Sequence, residues 1–291
     1  MKVINYGSLN IDYVYRVPHI SRPGETLRSS SFETFAGGKG ANQSVALARA
    51  GAKVLHAGKI GADGKWMLAK LADSGVNISL TTISDVKTGH AIIQLDDKGE
   101  NSIVLFPGAN CQIKRDEIKS VFAKASRGDI LLLQNEINQI PSIIKSGHKR
   151  GMKICLNPAP FSKEVLEYPL HLVDMLIFNE IEGEGLSGKK IPDEIITVLS
   201  EKYPEAEIVL TLGSKGVIYK SRKEQFKVPA IKVKAVDTTS AGDTFIGYFL
   251  ASIIEKKPVK ECLEIACKAS AICVSRKGAQ DSIPYRKEVI K

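Results

Sequence analysis

Cysteine is scarce in this 291-residue sequence, with five residues at Cys111, Cys155, Cys262, Cys267 and Cys273. The number is odd and no CxxC pair occurs, which argues against a disulfide framework and a thiolate zinc site and suits a reducing, cytoplasmic setting. Histidine is equally thin, at His19, His56, His90, His148 and His171, with no metal-ligand spacing among them. No apolar run approaches bilayer length, and the opening MKVINYGSLNID lacks the apolar core of a secretion signal. A protein without a membrane partner is therefore expected. Repeats, low-complexity tracts and Pro/Ser-rich linkers are missing too, so one domain over 1–291 is expected.

Charge is not missing. Lysine and arginine number 41 against 32 acidic residues, a net +9. The basic residues are scattered, and pairs such as Lys189-Lys190 and Lys256-Lys257 have acidic neighbours. That pattern favours a solvated lysine-rich surface over a nucleic-acid patch, and a basic cleft also suits a polyanionic substrate.

Short apolar runs alternate with helical patterns. Strands are expected at Lys2–Tyr6, Ile130–Leu133, Lys153–Leu156, Met175–Phe178 and Ile208–Leu212. Helices are expected at Ala41–Ala50, at Pro192–Lys202 and from about Ala241 to Ile254. This alternation implies an α/β fold with a parallel sheet covered on both faces, whose ligands bind at the carboxyl ends of the strands. His90–Leu95 and Ser102–Phe106 break the rhythm, flanking the turn-like Asp97–Glu100 and reading as a hairpin. With Asp12–Phe35 it makes a small projecting sheet, equally readable as a lid over the cleft or as an edge decoration.

Several segments carry polar chemistry. Gly37–Asn42 (GGKGAN) opens a helix, so free N–H groups, Lys39 and Asn42 converge where a ligand would sit, although a plain glycine turn fits as well. It is not a Walker A loop, and Gly61–Lys65 is followed by Trp66 where that loop needs Ser or Thr. In Gly7–Asp12, Asn10 and Asp12 face one side of extended backbone and can grip vicinal hydroxyls; a turn bonding its own backbone is the simpler account. Asp237–Thr244 (DTTSAGDT) leads into a helix, with Gly242 letting N–H groups approach an anion and Asp243 available to take a proton from a hydroxyl. Ser240-x-x-Asp243 also matches a capping box. Asn179–Glu182 reads as a helix cap or as oxygens around a magnesium ion's waters. Thr211–Gly216 reads as a turn or as backbone beside a nucleotide.

Taken in order, these segments, with Pro23–Thr26, Gly108–Asn110, Asn157–Pro160 and Arg276–Gln280, resemble the phosphofructokinase-B family of carbohydrate kinases over essentially the whole chain, and Asn157–Pro160 resembles its ribokinase branch. The resemblance implies a three-layer ribokinase-like fold, a mostly parallel sheet flanked by helices, with a β-sheet lid drawn from about 12–35 and 90–106 that also forms a homodimer. It implies transfer of phosphate from ATP to O5 of a pentose such as ribose. Asn10, Ile11, Asp12, Gly38, Lys39, Gly40, Ala41, Asn42 and Glu136 would hold the sugar. Asp243 would be the base, and Ala241 and Gly242 the anion hole. Asn179, Thr211, Leu212, Gly213, Ser214, Lys215, Gly216, Gly242, Asp243 and Cys267 would contact ATP, with Glu182 near Mg2+. A potassium activator would sit at Asp237, Thr239, Cys273, Arg276, Gly278 and Ser282. Phe178 and Ser240 depart from the family pattern without removing a named ligand, whereas Asn135, beside Glu136, bears on sugar preference. Deoxyribose, another sugar or a nucleoside remains an alternative acceptor, and a non-catalytic sensor an alternative role.

Overall fold

The computed structural model describes residues 1–290. Its strands are β1 (Val3–Tyr6), β2 (Asn10–Arg16), β3 (Ser31–Gly37), β4 (Val54–Gly61), β5 (Asn77–Ser84), β6 (Gly89–Leu95), β7 (Asn101–Phe106), β8 (Ile130–Gln134), β9 (Lys153–Asn157), β10 (Met175–Asn179), β11 (Glu207–Thr211), β12 (Val217–Lys220) and β13 (Gln225–Val228). Its main helices are α1 (Lys39–Arg49), α2 (Lys65–Asp73), α3 (Arg115–Ala123), α4 (Ile140–Lys149), α5 (Glu180–Ser187), α6 (Pro192–Lys202), α7 (Ala241–Ile254) and α8 (Val259–Val274).

One sheet runs in the order β13-β12-β11-β10-β9-β8-β1-β4-β5. Its pairings are parallel from β5 across to β11, and antiparallel at the β11-β12-β13 edge. The central strands are apolar on both faces because helices cover both. Side chains alternate: Val3, Leu132, Ile177 and Val209 pack with α1, α2, α7 and α8, while Ile4, Leu131, Leu176 and Leu210 pack with α3 to α6. Each fully buried aliphatic side chain contributes about 1.5–3 kcal/mol, so this double core holds the sheet's carboxyl edge rigid.

Helix α7 lies against α1 at close range. A Cβ on Gly247 would fall 2.3 Å from that of Ala46, so the two helices meet there backbone to backbone. That approach brings the first turns of α1 and α7 side by side above the ends of β1, β8 and β9.

The second sheet, β3-β2-β6-β7, stands apart from the first. The expected hairpin is β6-β7, its turn closed by Asp96, whose carboxylate accepts the N–H groups of Lys98 and Glu100. It joins the β2-β3 pair through a parallel β2-β6 pairing. One face, with Asn10, Asp12, Arg16 and Glu33, turns to a cleft. The other gathers Tyr13, Tyr15, Phe32, His90 and Phe106 in contact with one another. Among the described residues no helix covers that face: Phe32, Ile92, Val104 and Phe106 are all more than 40% exposed. After β13 ends at Val228, the stretch from Pro229 to Val236 has no regular structure, and Ile231, Val233 and Val236 are exposed.

Candidate active site

The carboxyl ends of the parallel strands and the small sheet enclose a cleft of ≈ 1130 Å³. A smaller hollow of ≈ 760 Å³ at the opposite strand ends, against Lys2, Lys53 and Arg127, contains none of the residues singled out above.

At one end of the cleft, β2 presents Asn10 and Asp12. Asn110 fixes Asn10 by donating from Nδ2 to Asn10 Oδ1 at 2.7 Å, while its own Oδ1 accepts the Leu9 N–H at 3.0 Å. Asp12 is only partly exposed. That burial, reinforced by the charge of Glu136, pushes its carboxyl up to about 7. Glu136 accepts the Lys39 N–H at 2.9 Å and the Ser8 hydroxyl. Burial works against the Lys39 ammonium, but Asp243, Glu136 and Glu182 outweigh it and hold its pKa above the ordinary lysine value. Lys39 is thus held as a charged ammonium among Asp243, Glu136 and Glu182.

Sugar hydroxyls donate best to an ionised carboxylate. A ligand whose hydroxyls meet Asp12 should therefore bind preferentially when Asp12 is charged and release a proton on binding at lower pH. Because the free carboxyl titrates at about 7, its ionised share rises from roughly one tenth at pH 6 to nine tenths at pH 8. The affinity for such a hydroxyl-bearing ligand should rise about tenfold over that interval. Titration calorimetry without ATP, in two buffers of different ionisation heat, checks both statements.

Asp243 lies in the first turn of α7, 8% exposed. The capping-box alternative is not realised: the Ser240 residue at the helix start is in the left-handed region (φ 61), and no side-chain cap bond forms. Instead, the Asp243 carboxylate turns to α1. Asn42 Nδ2 donates to Oδ2 at 3.1 Å and Gln43 Nε2 to Oδ1 at 2.9 Å. Ala241 and Gly242 line the cleft beside it.

The structure gathers Asn10, Asp12, Gly38, Lys39, Asn42, Glu136 and Asp243 around one cavity. It does not bring Ile11, Gly40 or Ala41 there. Ile11 alternates to the opposite face of β2 and joins the core, Ala41 is buried, and Gly40 is pressed on Gly7 and Ser8. Asn135 also turns away: its Nδ2 donates to the Pro160 carbonyl at 2.7 Å and its Oδ1 accepts the Tyr168 hydroxyl at 2.7 Å. It anchors a loop and does not line the cavity.

Toward the other end, Asn179, Glu182 and Thr211 line the cleft. Asn179 and Glu182 do form a capping box on α5: Asn179 Oδ1 accepts two N–H groups and Glu182 Oε2 accepts the Asn179 N–H at 2.8 Å. Leu212, Gly213, Ser214, Lys215 and Gly216 continue from β11 as a single turn beyond the cavity wall, and Cys267 is buried in α8 without lining it. Asp237, Thr239, Cys273, Gly278 and Ser282 form a cluster behind Ser240. Asp237 accepts the N–H groups of Thr239 at 2.9 Å and Gly278 at 3.0 Å, and the Cys273 thiol contacts Ser282 Oγ at 3.1 Å. Burial disfavours the Asp237 charge, but these donors prevail and hold its pKa below the usual carboxylate value. The Arg276 guanidinium is engaged with Glu288 at 2.6 Å.

Sequence reasoning gave no role to Ser8, Gln43, Asn110 or Gln134. Ser8 and Asn110 lay within segments already singled out, and Gln43 had a signal of its own, a polar residue in a helix whose neighbours Ala41, Val45 and Ala46 are core.

The pfkB family carbohydrate kinase model matches residues 1–286. The chain is 38% identical to a ribokinase of Haemophilus influenzae, over 98% of this chain and 96% of that one. Its fold matches the crystal structure of a ribokinase from Thermotoga maritima with a TM-score of 0.88 at 35% identity, covering 99% of this chain and 98% of that one. It also matches the structure of Arabidopsis thaliana ribokinase complexed with ribose and ATP, with a TM-score of 0.87 at 30% identity, covering 99% and 97%. With a family match over nearly the whole chain, and relatives similar in both sequence and fold, this chain belongs to the pfkB family of carbohydrate kinases.

Proposed function

We propose that this chain is a kinase that transfers the γ-phosphoryl group of ATP to O5 of D-ribose, giving ribose 5-phosphate and ADP. The observation that carries the reading is the Asp243 carboxylate, clamped by two amide donors at the start of α7, in the same cavity as Asn10, Asp12, Lys39 and Glu136. The relatives support ribose and ATP as the substrates.

Asp12 and Glu136 accept hydrogen bonds from the sugar's hydroxyls, Asn10, whose Oδ1 is held by Asn110, offers its NH2 group, and together they orient the 5-hydroxyl and its proton toward Asp243. Asp243 takes that proton as O5 bonds to the γ-phosphorus and the bond to the β-bridging oxygen breaks, releasing ADP. Phosphoryl transfer is commonly loose and largely dissociative, so an oriented carboxylate of ordinary basicity suffices. The N–H group of Gly242, at the positive end of α7, faces the transferring oxygens, while the Ala241 N–H is turned to the Thr238 carbonyl at 3.3 Å and shapes the turn. Lys39 adds a fixed positive charge.

Magnesium suits the nucleotide end, where Glu182 and Asn179 offer hard oxygens and few of them; when bound it neutralises phosphate charge. Potassium suits the Asp237 cluster, whose anionic carboxylate and backbone carbonyls are hard donors; when bound it adds positive charge beside the anion hole. All 291 residues act as one domain, with the small sheet as a lid that excludes water once sugar is bound. Its uncovered apolar face is the contact between two copies. Val104→Glu, at the exposed β7 side of that face, should turn a dimer into a monomer, as read by light scattering during size-exclusion chromatography.

The deciding experiment measures ADP release from ATP and Mg2+ with a panel of pentoses, 2-deoxyribose, hexoses and nucleosides, with and without K+. Ribose should give the highest kcat/KM, K+ should raise it, and turnover without sugar should be about a hundredfold lower. A preference for another acceptor would replace ribose, and rapid sugar-independent ATP hydrolysis would refute the water-excluding lid.

A further inference from the structure

Behind the cleft floor, buried polar side chains form a row across the ends of the central strands. Asn5 comes from β1, Gln134 from β8 and Asn157 from β9, and Gln43 and Ser44 from α1 fit between them. Asn5, Gln43, Ser44 and Gln134 have no exposed surface. Buried amides are costly unless paired, and an apolar layer would stabilise the fold more simply.

The row has a direction. At one end Asn157 Nδ2 donates to the Ile177 carbonyl at 2.9 Å, which leaves Asn157 Oδ1 facing Gln43. At the other, Asn5 Nδ2 donates to the Gly40 carbonyl at 2.7 Å and to Ser44 Oγ at 2.8 Å, which leaves Asn5 Oδ1 facing Gln134. Backbone carbonyls accept only, so neither terminal amide can be reversed without losing its bond. Gln134 therefore offers Nε2 to both Asn5 Oδ1 (3.0 Å) and Gln43 Oε1 (2.6 Å). Gln43 is left with its NH2 group alone for its remaining partners, Asn157 Oδ1 at 3.1 Å and Asp243 Oδ1 at 2.9 Å.

We propose that Gln43 is a positioning residue for Asp243, and that the row Asn157–Gln43–Gln134–Asn5 keeps its NH2 group, never its carbonyl, against the carboxylate. Together with Asn42 on Oδ2, it fixes both oxygens of Asp243 and hence the direction in which the base meets the sugar hydroxyl. A reversed Gln43 would put oxygen against oxygen and turn the carboxylate aside. The inference rests on the role given to Asp243 above.

The test is Gln43→Met, which keeps side-chain length and removes the donors, in the full-length protein. Misplacing a catalytic group by about an ångström costs up to about a hundredfold, so kcat should fall roughly 10- to 100-fold with KM for ribose and ATP within about twofold. In the Asp243→Asn background the same change should alter kcat less than about twofold, because Gln43 then has no base to orient. A wild-type kcat, a KM that rises in step with the loss, or losses that multiply in the double variant would each overturn the proposal. Should Gln43→Met not fold, Gln134→Met replaces it in the same cycle with the same criteria, since it removes the directional lock without touching Asp243. Full turnover in Asp243→Asn alone would instead refute the role of Asp243, which separates the two failures.

Discussion

Asp243→Asn is expected to lower kcat for ribose phosphorylation about 10³-fold while leaving ribose affinity within a few-fold of the parent. A positioned general base contributes about 10²–10⁴ in rate, and an amide of the same shape cannot take the 5-hydroxyl proton. The change should cost little stability. The Asp243 carboxylate accepts from both Asn42 and Gln43, so a replacement amide must present its NH2 to one of them. Gln43 cannot reverse, but Asn42 can: its Oδ1 is buried without a partner, so rotating that side chain supplies the acceptor. The new amide should therefore place its oxygen toward Gln43 and its nitrogen toward Asn42, with a cost of about 1 kcal/mol or less. Coupled-assay kinetics, ribose titration calorimetry and thermal denaturation check the three statements. Less than a tenfold loss in kcat would remove Asp243 from the chemistry.

The second large effect separates two glycines that look alike in sequence. A Cβ on Gly40 would lie 2.4 Å from the Ser8 nitrogen and 2.5 Å from the Gly7 carbonyl carbon, both backbone and both in the turn after β1. Neither can give way, so Gly40→Ala must push α1 off the strand ends. The expected cost is about 2–3 kcal/mol in stability, and about a hundredfold in kcat/KM because Lys39, Asn42 and Gln43 all move with the helix. A Cβ on Gly242 meets nothing within 4 Å, and its backbone is not in the left-handed region. The protein alone does not require glycine there; a phosphoryl group approaching the N–H groups would. Gly242→Ala should melt within about 1 °C of the parent yet lose roughly 10²-fold in kcat, an anion-hole magnitude. A normal kcat in Gly242→Ala would move the phosphoryl site away from this turn.

Much of the frame was legible without coordinates. The buried parallel strands are uninterrupted apolar runs, because helices cover both faces, and α7 began and ended where its apolar pattern did, at Ala241 and Ile254. The hairpin was legible because its pairing is local. The region after Val228 was not: alternating apolar residues such as Ile231 and Val233 imitate a strand, but no neighbouring strand pairs with them. The parallel β2-β6 pairing was equally hidden, since nothing local marks two strands separated by β3, α1, β4, α2 and β5.

The candidate site divides in the same way. The sequence by itself determined which groups are available: Lys39 and Asp243 sit at helix starts and Glu136 in the turn after a strand, where local backbone geometry already implies open N–H groups, and Asp12 follows Asn10 by two along extended backbone. Only the tertiary structure decided which of them share a cavity and how each is aimed. It turned Asn135 toward Pro160 and Tyr168, excluded Ile11 by strand alternation, and set Gln43 against Asp243 across 200 residues of chain. A hydrogen bond depends on ångströms and angles that arise only when α1 and α7 are pressed together, and a single sequence carries no local trace of that contact.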